Sequence, residues 1–196
     1  NVDVGNTVRA MTDLAREYSQ VDALHGGLPD FPRSFTGKGV LIGVIDTGFD
    51  FMHPAFRDAE GNSRIVHVWD QSGRNGNTPS MGYGVVFDTP ELIRSAAHDV
   101  SRDTHGTHVA AIAASSADVY KGMAPESDIV VVATDKSESG IIDALAYLLD
   151  YAEKEKKPIA INLSMGTVIG FKDGTDPIAS MIDELLDQSG KKCLMA

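Results

Sequence analysis

Two positions in this chain put a titratable side chain where chemistry can be done. Asp46 closes the apolar run Val40–Ile45 and is followed by Thr47-Gly48. A run this short, rich in β-branched residues and bounded by turn residues, predicts a strand buried on both faces of a parallel sheet. Side chains at the carboxyl end of such a strand face the crevice where open α/β sheets bind ligands. The Asp46 carboxylate is thus placed to orient a histidine, bind a metal or cap the next turn, and position alone favours the cap. The second position is His105, in Asp103-Thr104-His105-Gly106-Thr107-His108. Here an alanine-rich helix begins, and its positive end disfavours added positive charge, which suits the ring to general-base work. Gly106 admits close approach, while Ala110, Ala111, Ala113 and Ala114 let the helix pack tightly and fix the ring in place.

Other reactive residue types carry blander readings. His108 is expected to be buried and hydrogen-bonded, since no glutamate makes an H-E-x-x-H pair and no third metal ligand stands at a usable spacing. Ser164 ends a strand without the G-x-S-x-G elbow of a nucleophile. His53 reads as structural in its turn, and His25, His67 and His98 have no constellation around them. Asn162 reads as a buried polar residue tying loops together, and Cys193 as a small core residue. Gly37-Lys38-Gly39 with Gly43 mimics a dinucleotide fingerprint, but its glycines precede or lie within the strand instead of following it.

The elements that must carry these residues alternate in type. An N-terminal helical stripe (Val8, Met11, Leu14, Ala15, Tyr18) precedes a Gly/Pro loop over 26–39. Arg64–Trp69 alternates in hydrophobicity and predicts a more exposed strand, and 73–84 is loop. Thr89-Pro90 opens a short helix. A helix over His105–Ser115, capped by Asp103 or Thr104, leads to a buried strand at Ile129–Ala133. An amphipathic helix over Ile141–Lys154, a strand at Pro158–Leu163, a helix over Pro177–Gln188 and a strand from Lys192 complete the series. Strand–helix alternation of this kind predicts an α/β fold, a three-layer αβα sandwich around a mostly parallel sheet.

Bulk properties narrow the function classes. The chain has 196 residues, enough for one core, with 42 % hydrophobic and 23 % charged residues, a globular composition. A net charge of −11 argues against a nucleic-acid surface, which needs clustered cations. Lys154, Lys156 and Lys157 form a short basic run that reads as a helix end. One cysteine excludes an intrachain disulfide. No apolar run approaches the ~20 residues of a membrane-spanning helix, so no membrane partner is expected.

Four segments then carry a family resemblance. Val44-Ile45-Asp46-Thr47-Gly48-Phe49-Asp50, with His53-Pro54 behind it, resembles the aspartate motif of the subtilases, peptidase family S8. His105-Gly106-Thr107-His108-Val109-Ala110 resembles their histidine motif, and Gly122-Met123-Ala124-Pro125 their G-x-A-P segment. Ile161-Asn162-Leu163-Ser164-Met165-Gly166 is similar to their substrate-binding strand. The order of the motifs is the family's, and the residues between Asp46 and His105 resemble an insertion found in subtilases related to clostridial spore-germination proteases.

The resemblance implies a serine endopeptidase in which Asp46 orients the imidazole and His105 takes the proton of a serine. It implies that 1–196 is the N-terminal part of one catalytic domain, with helix and loop at 1–35, an α/β core at 36–196 and an insertion around 57–100. Ser164, Met165 and Gly166 would form one wall of the groove for an extended polypeptide substrate. Ser139 and Gly140, in the region Ser137–Gly140, would form the facing strand edge. The family's oxyanion asparagine and its serine in G-T-S-M-A follow beyond the last residue, so the C-terminal half, from the same gene or a partner chain, is an expected partner. This chain alone is expected to be inactive. A catalytically dead subtilase acting as a peptide- or protein-binding module is the alternative. No cofactor is implied for catalysis, and the position after His53-Pro54, where the family often carries a calcium-binding acid, holds Ala55. Secretion or residence in a bacterial cell envelope is the expected location.

Overall fold

The structure is a computed structural model that describes residues 12–27, 29, 33–74, 76–101, 103–166 and 174–196. Six strands form one sheet: β1 (Leu41–Asp46), β2 (Ile65–Asp70), β3 (Val85–Phe87), β4 (Asp128–Ala133), β5 (Ile159–Leu163) and β6 (Cys193–Met195). Their spatial order is β3-β2-β4-β1-β5-β6. Every neighbouring pair is parallel except β2 with β3. Among the described residues six helices accompany them: α1 (Thr12–Tyr18), α2 (Val21–Gly26), α3 (Pro90–Ala96), α4 (His105–Ala114), α5 (Glu138–Glu155) and α6 (Pro177–Ser189).

Alternation along the central strands divides the core between two faces. Ile42 and Val44 of β1 join Ile129, Val131 and Ala133 of β4 on the face covered by α3 and α4. Leu41 and Ile45 join Val130 and Val132 on the other, against α5 and α6. Because successive side chains point to opposite faces, a strand buried on both must be apolar along that length, as β1 is from Leu41 to Ile45 and β4 from Ile129 to Ala133. Gly43 matters here. A Cβ on it would meet Leu148 Cδ1 at 3.0 Å and Ile159 Cδ1 at 3.1 Å, so its absence lets α5 settle onto β1.

Several expectations need correction. β2 is buried almost throughout, although its sequence alternates. It lies between β4 and β3, and the α5 tyrosines roof the face that carries His67 and Trp69. Strand β3 was not anticipated. At three residues it is too short for a periodic signal. The N-terminal segment contains two short helices where one was expected, and Tyr18, at the end of the first, is exposed. Val8 and Met11 lie outside the described residues. α5 begins three residues earlier than its apolar pattern, because Ser137 caps it by accepting from the Gly140 N–H at 2.9 Å. Lys192 belongs to a 3₁₀ turn that precedes β6.

The basic run does end a helix. Lys156 is its left-handed C-cap, Lys154 pairs with Asp150 at 2.5 Å, and Lys157 pairs with Asp128 at 2.6 Å. Among the described residues no helix is long and apolar enough to cross a membrane.

Candidate active site

The carboxyl ends of β4, β1 and β5 lie side by side. Asp46 pairs in register with Ala133, and Ile45 with Leu163, so Ser164 follows β5 where Asp46 ends β1. Asp46 is only 1 % exposed, yet its side chain has two partners. Its Oδ1 accepts from the Thr47 N–H at 2.7 Å. Both its oxygens face His105 Nδ1, at 2.8 and 2.9 Å. The His105 side chain is 48 % exposed. Among the described residues only Nδ1 of the two His105 ring nitrogens has a partner, which leaves Nε2 free.

Why the two meet is a matter of unsatisfied helix donors. The first amides of a helix have no intrahelical acceptor. In α4 the His105 N–H donates to Asp103 Oδ1 at 3.3 Å, the Gly106 N–H to the Thr47 carbonyl at 2.7 Å, and the Thr107 N–H to the Gly48 carbonyl at 3.0 Å. Thr104 is the N-cap residue but makes no side-chain cap bond. The turn after β1 therefore caps α4, and the same turn carries Asp46. The Thr107 hydroxyl adds a bond to the Gly48 carbonyl at 2.9 Å and accepts from the Asp50 N–H at 2.7 Å.

A carboxylate on one ring nitrogen holds the imidazole in the tautomer whose other nitrogen accepts a proton, and stabilises the cation that results. The pair can thus act as a general base toward a hydroxyl brought to Nε2.

Other expected site residues fall differently. Ser164 and Gly166 are exposed and Met165 is half-buried, at the open rim beside Asp46. Ser164 Oγ accepts from Asn162 Nδ2 at 2.8 Å, so Asn162 is half-buried and bonded within its own segment. Ser139 and Gly140 are not a strand edge. They lie in the first turn of α5, where the Gly140 N–H is taken by Ser137 Oγ and its carbonyl accepts from Gln71 Nε2 at 2.7 Å. The serine-rich segment caps a helix, and a capped helical turn offers no free backbone edge to a peptide.

His108 is exposed, not buried, because α4 turns that face outward. His53 is structural as expected: its Nδ1 accepts from the Ala55 N–H at 3.2 Å in a 3₁₀ turn. Cys193 is half-buried, 2.5 Å from Ser189 Oγ. Ala55 carries no side-chain oxygen, and its carbonyl accepts from Ser116 and Arg64. Among the described residues no group of three or more His, Cys, Asp or Glu is arranged to hold a metal.

Two buried groups escaped the sequence reading. His67 lies between Tyr147 and Tyr151, with Nε2 2.6 Å from Tyr147 Oη, and burial lowers its pKa to about 4. Asp99 accepts from the Gly48 N–H at 2.8 Å and from the Phe49 N–H at 3.2 Å. Burial raises its carboxyl pKa, against the effect of those two bonds. Neither had a local signal, since their partners lie 80, 51 and 50 positions away.

An α/β sheet with this Asp–His pair at its carboxyl rim defines a class, and comparison with known proteins names it. A family model described as Peptidase_S8, Subtilase family, matches residues 37–195. The chain belongs to the subtilase family. It is similar to the subtilisin-like protease PopC of Myxococcus xanthus (strain DK1622), 32 % identical over 139 residues, 66 % of this chain and 25 % of PopC. It is similar also to the serine protease AprX of Bacillus subtilis (strain 168), 27 % identical over an alignment of 209 residues, covering 100 % of this chain and 40 % of AprX. Among solved structures it resembles the CspB protease of Clostridium perfringens, with a TM-score of 0.67 and 29 % identity over 82 % of this chain and 35 % of that one. The chain thus spans between 25 % and 40 % of the length of these relatives.

Proposed function

We propose that this chain is the N-terminal part of a subtilase catalytic domain and that the whole protein is a serine endopeptidase. The observation that carries the reading is the approach of His105 Nδ1 to both oxygens of the buried Asp46. In this reading His105 Nε2 takes the proton of a serine hydroxyl supplied from outside residues 1–196. The serine oxygen attacks the carbonyl carbon of the scissile peptide, and the carbonyl electrons move to oxygen. Collapse of that intermediate breaks the C–N bond, and His105 returns the proton to the leaving nitrogen. Water then repeats the sequence on the acyl-enzyme. Asp46 keeps the ring oriented and stabilises its cationic form throughout.

The substrate is an extended polypeptide, and the rim at Ser164–Gly166 forms one wall of its groove. The rest of the domain, from the same gene or a partner chain, adds the nucleophile and the oxyanion donors. The proposal includes a location outside the cytoplasm or in the cell envelope of a bacterium, which cell fractionation tests.

Fluorophosphonate labelling tests the chemistry. The full-length protein is expected to label at one serine outside 1–196, and the label to vanish in His105→Ala. The 196-residue chain alone is expected to stay unlabelled. Labelling of a serine within 1–196, or none in the full-length protein, overturns the reading, the latter in favour of a binding module.

A further inference from the structure

We propose that Asp99 is a positioning residue for the Asp46–His105 pair, its carboxylate clamping the turn that joins the two. The inference rests on the reading of that pair as orienter and base.

Asp99 is 2 % exposed, and no cation pairs with it among the described residues. A buried carboxylate costs stability unless it is well bonded, and an apolar residue of similar size is often no worse for the fold. What this one holds is therefore informative. Its two oxygens take the N–H groups of Gly48 and Phe49, and its own N–H donates to the Phe49 carbonyl at 3.3 Å. Gly48 and Phe49 stand two and three residues after Asp46. Asp99 itself stands six residues before His105.

The same turn is held from the other side. Thr107, two residues after His105, bonds the Gly48 carbonyl and the Asp50 N–H through its hydroxyl. Gly48 thus has its N–H on Asp99 and its carbonyl on Thr107. Both clamps come from the chain that flanks His105, so the aspartate and the histidine share one frame although 59 positions separate them. Without the Asp99 acceptors two buried N–H groups lose their partners, and the turn must shift toward water or another acceptor. Asp46 would move with it. Misplacement of a reacting group by ~1 Å is enough to cost about 100-fold in rate.

The test uses the full-length protein and three variants. Asp99→Asn keeps the size but sets an NH₂ group against a backbone N–H. Thr107→Val keeps the shape and loses both hydroxyl bonds, and Thr107→Ser restores them. Expected is a fall in kcat of about 30- to 100-fold for Asp99→Asn and Thr107→Val, with KM within about twofold and Thr107→Ser close to wild type. In ¹⁵N-histidine-labelled protein the downfield proton on His105 Nδ1 is expected to shift or vanish in the first two variants and to persist in Thr107→Ser. Unchanged kcat and an unchanged His105 signal in folded Asp99→Asn and Thr107→Val would sink the proposal. So would a Thr107→Ser variant as impaired as Thr107→Val. If Asp99→Asn does not fold, the Thr107 pair decides. If wild-type protein cleaves no peptide, the functional reading fails while the His105 signal still decides the positioning.

Discussion

A methyl group on Gly48 would stand 2.5 Å from the carbonyl carbon of Asp103, because the peptide leading into α4 crosses directly over the turn that follows Asp46. Gly48 also has φ +83, a conformation that side chains rarely adopt. Gly48→Ala must therefore push the two segments apart. The expected cost is about 2–3 kcal/mol in urea unfolding, with loss of the His105 Nδ1–H signal. A neutral substitution would mean that the two segments separate at no cost.

His67 makes stability depend on pH. Its pKa is lowered by burial from 6.5 to about 4, so between those values the unfolded chain binds more protons than the folded one. Stability is full above pH 6.5 and is lost as pH falls toward 4. The loss between pH 7 and pH 5 is expected to be roughly 2 kcal/mol, and His67→Phe should flatten that slope. Burial also raises the pKa values of Asp70 and Asp99, which has the opposite sign: the folded chain holds those protons more tightly, so acidification through their own titration favours folding. Unfolding curves at several pH values, wild type against His67→Phe, isolate the histidine. Parallel slopes in the two proteins would remove His67 from the account.

Arg64 is a cation buried to 6 % exposure and paired with carbonyls only. Its Nη1 donates to the Ser127 carbonyl at 2.9 Å, and its Nη2 to the carbonyls of Ala114 and, at 3.3 Å, Ala55. Ala114 ends α4, so the guanidinium sits at the negative end of that helix. Arg64→Ala removes a donor from three carbonyls, of which only Ala55 keeps Ser116 as a partner, and leaves a cavity, so about 3 kcal/mol or more should be lost in chemical denaturation. Arg64→Met fills the space and should lose less.

Gln71 holds the turn between β4 and α5 from both ends. Its Oε1 accepts from the Asp135 N–H at 3.0 Å and its Nε2 donates to the Gly140 carbonyl. Within that turn Lys136 has φ +67, a strained conformation for a side-chain-bearing residue. Gln71→Leu should cost about 1–3 kcal/mol and speed hydrogen exchange at Asp135, while the amides of β1 keep their protection.

Much of the fold was legible because burial on two faces writes itself into composition. β1 and β4 appear as continuous apolar runs and α5 as a stripe, since each element must match its own neighbours. β2 misled for the same reason. Its alternation predicts a more exposed strand, whereas the tyrosines of α5 pack against His67. The strand edge that the resemblance implied at Ser137–Gly140 is instead the capped first turn of α5.

The sequence by itself placed the two candidate groups on their elements, and the family resemblance implied that they meet. Asp46 at a strand end and His105 at a helix start are local facts, set by the runs beside them. Tertiary structure alone decided how they are held. Asp99 and Thr107 meet Gly48 across 51 and 59 positions, and His67 meets Tyr147 across 80. Contacts at such separations leave no periodicity in the chain, and the bonds from Asp99 and Thr107 to backbone groups of the turn are satisfied by geometry and ask nothing of the partner's side chain.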